Sequence, residues 1–121
     1  MSLVVSDAVG RILSAALDGV TMNQNAIADN IANVDTPHFR ATHVDFQSAL
    51  SAAVADGSAA DGRFTAAPQV VPTDTPVGAD GNNVDLRTET MAAAQSQYQY
   101  QTLTRAISDR FALVHDAVSG A

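Results

Sequence analysis

Along the first third of the chain, Leu13, Leu17, Val20, Gln24, Ile27, Ile31 and Val34 follow one another at intervals of 4, 3, 4, 3, 4 and 3, and all but Gln24 are apolar. This alternation averages 3.5 residues and predicts a helix over Ser6–Asn33 with a coiled-coil seam rather than a broad globular face. Ser6 and Asp7 are the N-cap candidates. Gln24 puts an amide in the seam, the kind of residue that fixes register or partner. Ala15, Ala16, Ala26, Ala28 and Ala32 around it allow close helix approach. One helix of a simple bundle is the plainer reading of the same pattern.

The other end of the chain mirrors this pattern. Asp85 is placed to cap a helix reaching about Val118, with Gly120 beyond it. Its stripe is Tyr100, Leu103, Ile107, Phe111, Val114 and Val118, with Met91, Ala94 and Tyr98 on an adjoining face. Between the two helices, VDFQSALSAAV over 44–54 predicts a short helix presenting Phe46, Ala49, Leu50 and Ala53. ADGSAADGR reads as a loop, residues 64–71 as a short strand, and 73–83 as turn chemistry. Pro68, Pro72 and Pro76 exclude a regular helix there and weaken any central strand. The fold class is therefore mainly α, with long N- and C-terminal helices packing as a coiled-coil-like pair. A short helix near 45–54 and an extended, loop-rich segment lie between them. The parts are 1–34, 35–84 and 85–121, together one domain.

Composition sharpens this picture. Of 56 hydrophobic residues, 23 are alanine; Leu, Ile, Val and Phe supply only 28 of 121. So few large side chains give little apolar area to set against the entropy of folding, so neighbours are expected to complete the core. Six Arg, no Lys and a net charge of −7 leave no basic stripe for nucleic acid or an anionic membrane. The absence of cysteine excludes disulfides and thiol chemistry. No apolar run is long enough to span a bilayer, and MSLVVSDAVG is not an ordinary secretory signal.

No catalytic motif emerges. His38, His43 and His115 have Asp35, Asp45 and Asp116 nearby in sequence but match no metal-ligand spacing. DGNNVD over 80–85 fails the calcium-loop pattern, with Asp85 where Gly is required and Met91 where Glu is required. Without a nucleophile elbow, a phosphate loop or a paired acid and base, no enzyme, cofactor, metal or small-molecule substrate is expected.

The stretch DNIANVDTPHF, residues 29–39, ends the first helix. Pro37 cannot continue it and pushes Thr36 towards extended geometry. Asn33 suits the left-handed conformation that closes many helices, and Asp35 and Thr36 can bond their own backbone in a turn. Asn30 and Asn33 are placed to bond the turn or a neighbouring chain.

NIANVDTPHFR, residues 30–40, resembles the Asn-Ile-Ala-Asn-x-x-Thr-Pro-Gly-Tyr-Lys signature of bacterial flagellar axial proteins, the superfamily of rod, hook and hook-associated subunits. The signature residues are Asn30, Ile31, Ala32, Asn33, Thr36 and Pro37. DGNNVDLRTE (80–89) and QSQYQYQTLTRAIS (95–108) are similar to the helix-entry turn and Gln-x-x-Tyr-Gln helix of its proximal rod proteins, with Asn82, Asn83 and Asp85 at the entry. The likeness covers 30–50 and 80–118 well and 55–79 poorly. His38 stands where the signature has Gly, so a positive φ there would strain it. Phe39 and Arg40 replace Tyr and Lys, Arg87 stands where an acid is common, and Thr90 where Met is common.

The resemblance implies a non-enzymatic structural subunit that stacks helically into the periplasmic rod of the flagellar basal body. It would leave the cell through the flagellar type III export apparatus without a cleaved signal peptide. Partners would be copies of itself, other rod proteins, and the MS ring with its rod adaptor. The assembly seam would be Leu13, Leu17, Val20, Ile27 and Ile31 with Tyr100, Leu103, Ile107, Phe111 and Val114. The rival is a soluble helical adaptor or regulatory binding module forming a closed small bundle with one partner.

Overall fold

A computed structural model describes residues 3–63 and 68–120. Helix α1 spans Leu3–Ala32, strand β1 Thr42–Asp45, helix α2 Gln47–Ala55, strand β2 Gln69–Pro72 and helix α3 Leu86–Ser119. The two long helices pack along each other and run antiparallel. Asn33, just past the end of α1, meets Asn82, just before α3, while Gly10 lies level with Arg110. The mainly α architecture with a terminal helix pair is as the periodicity predicts.

Helix α1 begins at Leu3, upstream of the predicted caps, so Ser6 and Asp7 lie inside it. Ser and Asp within a helix cost only a fraction of a kcal/mol each, about 0.5, and cap preference alone does not place a start. Helix α2 begins at Gln47 because Val44 and Asp45 belong to β1. The Asp45 carboxylate accepts the Ser48 backbone N–H at 3.1 Å and its hydroxyl at 2.8 Å, so it caps α2 from the strand's last position. Those bonds hold the Asp45 carboxyl below its ordinary pKa. The strand predicted over 64–71 is observed at Gln69–Pro72; residues 64–67 lie outside the described part.

The strands pair antiparallel, Thr42 opposite Pro72 and Val44 opposite Val70. Thr42 sends both its N–H and its C=O away from β2, to Asn30. The pairs 42/72 and 44/70 are therefore non-hydrogen-bonded pairs, whose backbone groups face outward. On β2 the outward positions are then Val70 and Pro72, of which Pro72 has no N–H, and Pro68 directly precedes the strand. A two-stranded edge carrying proline at those places is protected against further strands.

The core is small. Ala16, Val20 and Phe46 are buried together, with Leu50 and Leu103 packed against them. Phe46 lies directly on the α1 backbone at Gly19, where any Cβ would overlap its ring. Ala59 is buried in the following loop, which Arg11 ties to α1 by donating to the Gly62 carbonyl at 3.0 Å.

Candidate functional site

Four asparagines organise the place where α1 ends, β1 begins and α3 starts. The Asn33 N–H bonds the carbonyls of Asp29 and Asn30, and its side-chain amide donates to Asp29 O at 2.8 Å. Thr36 then bonds back to Asn33 twice, N–H to the carbonyl at 3.0 Å and hydroxyl to the side-chain oxygen at 3.1 Å. The helix thus closes through right-handed turns. Asn33 does not adopt the predicted left-handed conformation, because its side chain is committed to α1, and Thr36 rather than Asp35 supplies the side-chain bond.

The left-handed residue is His38, at φ 65°. It stands where the signature has Gly, and its positive φ is the strained geometry that the departure foretells. Its N–H donates to Asp80 O at 3.0 Å, and across from it Gly81 is also left-handed, at φ 81°. A Cβ on Gly81 would stand 2.5 Å from His38 Nδ1, so the two turns touch backbone to ring.

Asn82 and Asn83 hold these turns together. The buried Asn82 amide donates to Asn33 O at 2.8 Å and Thr36 O at 2.7 Å, while its oxygen accepts from Val84 N–H at 2.7 Å. Asn83 accepts the Ala41 N–H at 2.6 Å and donates to Thr75 O at 3.3 Å; its own N–H reaches Phe39 O. Asp85 follows as the N-cap of α3, accepting from the N–H groups of Arg87 and Thr88 at 3.0 and 3.2 Å. The Thr88 N–H in particular holds its carboxyl below the ordinary range.

Asn30, only 1% exposed, faces the strand. Its amide donates to Thr42 O at 2.8 Å and its oxygen accepts the Thr42 N–H at 3.1 Å. One side chain therefore makes the pair of bonds that a residue of a neighbouring antiparallel strand would make. Asn23, two turns earlier, accepts the Val44 N–H at 3.1 Å. Sequence reasoning missed Asn23, although its seven-residue spacing from Asn30 put both on one helix face. Of the other signature residues, Ile31 is half-buried, and Ala32, Thr36 and Pro37 are exposed.

The seam residues divide into two groups. Val20 and Ile27 are buried; Leu13, Leu17, Ile31, Leu103 and Ile107 are half-buried. The most buried line on α1 is Ala8, Ala16, Val20, Ile27 and Asn30, because small residues let α3 approach and leave the leucines at the flanks. Ser96 on α3 is fully buried, its hydroxyl without a partner among the described residues. Towards the end of α3 the cover stops: Tyr100 is exposed, and Phe111 is 71%, Val114 46% and Val118 80% exposed. An open apolar groove of about 650 Å³ also lies between the helices, lined chiefly by Ala16, Val20, Phe46, Tyr98 and Leu103.

The histidines stand apart, His38 at the turn, His43 on the exposed side of β1 and His115 beside Asp116 on α3. Among the described residues no three His, Asp or Glu side chains are grouped to hold a metal, and no helix is long and apolar enough to cross a membrane. What the molecule offers is an amide-built turn joining two long helices that keep apolar surface uncovered. That is the form of a structural subunit, in the class of the flagellar axial proteins.

Comparison with known proteins gives the particular family. The chain is 31% identical to the flagellar basal body rod protein FlgB of Bacillus subtilis (strain 168), across 89% of this chain and 91% of that protein. It is 31% identical to the protein of the same name from Yersinia enterocolitica, across 79% of this chain and 82% of that one. With the Borreliella burgdorferi FlgB it shares 28% identity across 73% of this chain and 78% of the relative. No family model matches. The chain belongs to the FlgB family of flagellar basal body rod proteins.

Proposed function

We propose that this chain is a structural subunit of the proximal rod, added helically to copies of itself and to other rod proteins. It has no catalytic role. Residues 1–34, 35–84 and 85–121 act as one unit, in which Asn30, Asn33, Thr36 and Pro37, locked by Asn82, Asn83 and Asp85, set how the chain leaves the helical layer. The seam from Leu13 to Ile31 and from Tyr100 to Val114 is completed by adjacent subunits. The MS ring with its rod adaptor lies on the proximal side. The subunit reaches the periplasm through the flagellar type III export apparatus, without a cleaved signal peptide.

The observation that carries this reading is the bare end of the seam. A self-sufficient monomer has no reason to leave Phe111, Val114 and Val118 open to water on one helix, whereas a stacked subunit has neighbours to cover them. Phe111→Asp and Val114→Asp, made separately in the flagellated cell at exposed positions of that stripe, test it. Each is expected to leave a soluble chain that is missing from purified basal bodies, with motility lost. Normal motility in both would overturn the reading.

A further inference from the structure

The uncovered groove and the uncovered stripe are two separate apolar surfaces on one chain, and they match. On α3 the groove runs from Gln95 to Leu103 and the stripe from Phe111 to Val118. Both are of similar length, about 12 Å and about 10 Å at the helical rise. Phe111, Val114 and Val118 are spaced i, i+3 and i+7, the anchor pattern of a helix seated in an apolar groove. The groove has the opposite form, a floor of Val20, Phe46 and Leu103 with a rim of glutamine amides and the Tyr98 ring.

A chain cannot fill its own groove, because both surfaces lie on a single uninterrupted helix, Leu86–Ser119. Nor can two chains satisfy each other completely. At about 100° per residue, the groove and the stripe point about 120° apart around α3, so one partner helix cannot meet both. A contact between them leaves one groove and one stripe open and repeats. This is the heterologous, non-closing contact that generates a helical stack.

We propose that the groove over Val20, Phe46 and Leu103 receives the Phe111–Val114–Val118 stripe of a second copy of this chain. The proposal rests on the rod-subunit reading and adds which two faces of the chain meet. The absence of cysteine allows a direct test. Thr102→Cys at the groove rim and Val114→Cys on the stripe are combined in one full-length chain, expressed in the flagellated cell, and oxidised in isolated basal bodies. The two sites are twelve residues apart on one helix, about 18 Å, far beyond the roughly 7 Å that a disulfide spans, so any bond joins different chains.

A ladder of disulfide-linked dimers, trimers and larger species is expected, with none from either single variant. Basal bodies that contain the chain but yield no ladder would overturn the groove–stripe contact and leave the rod reading intact. Dimers alone, or dimers from a single variant, would show a closed symmetric contact and overturn it equally. A chain missing from basal bodies, when the unsubstituted chain is missing too, would overturn the rod reading itself.

Discussion

At the scale of single residues, amide side chains do work that backbone usually does. Asn30 occupies both backbone groups of Thr42, so Asn30→Ala strands a part-buried donor and acceptor and should destabilise the fold by about 1–3 kcal/mol. Asn30→Asp keeps the acceptor, loses the donor and sets a carboxylate beside the Thr42 carbonyl, and should be no better tolerated. Urea unfolding of the three proteins checks this; equal midpoints would mean that water replaces the amide freely. His38 gives a prediction of opposite sign. A left-handed residue with a side chain is strained, so His38→Gly should raise stability by roughly 0.5–1 kcal/mol. A lower midpoint in the same assay would mean that the ring's contact with Gly81 outweighs the relief. The signature pointed to Asn30, Asn33, Asn82 and Asn83 as residues to watch, but not to what they bond. Those partners come from segments brought together only by the antiparallel helices, a long-range fact that local pattern does not carry.

At the scale of elements, the helix pair was legible because the 3.5 spacing and the Asp85 cap are local signals. Strand β1 was not, since four residues of Thr-His-Val-Asp show no strong alternation, and it exists because Asn23, Asn30 and β2 satisfy its backbone. Within the predicted seam Val20 and Ile27 are the buried members, while Leu13 and Leu17 lie at the flanks and the small Ala8 and Ala16 are buried beside them. The start of α3 has a predictable pH response. Its Asp85 carboxyl is held below 3.8 in the folded chain, so the capping contribution is complete above the unfolded-state value and disappears as pH falls through the lower folded one. Amide hydrogen exchange at Arg87 and Thr88 should therefore accelerate, relative to the helix middle, below about pH 4. Asp85→Asn keeps an acceptor that does not titrate and should abolish this acid response. An unchanged response would place the titrating group elsewhere.

At the scale of the whole molecule, the chain is secured at one end and unfinished at the other. The amide junction fixes the start of α3, and the same helix ends in exposed Phe111, Leu113 and Val118. A rod subunit has to assemble by one route only, and β2 is where a second route would open. Pro72 occupies one of its two outward positions and Pro68 directly precedes the strand, so an incoming strand finds one N–H, that of Val70. Replacing both prolines by threonine should let the concentrated chain form thioflavin-positive fibrils with a strand repeat near 4.7 Å under conditions where the parent remains helical. If the double variant stays helical, the prolines are not the guard. If fibrils form, the two rings will have been acting as a sorting device, keeping crowded subunits available for their proper neighbours by making amyloid a poor competitor.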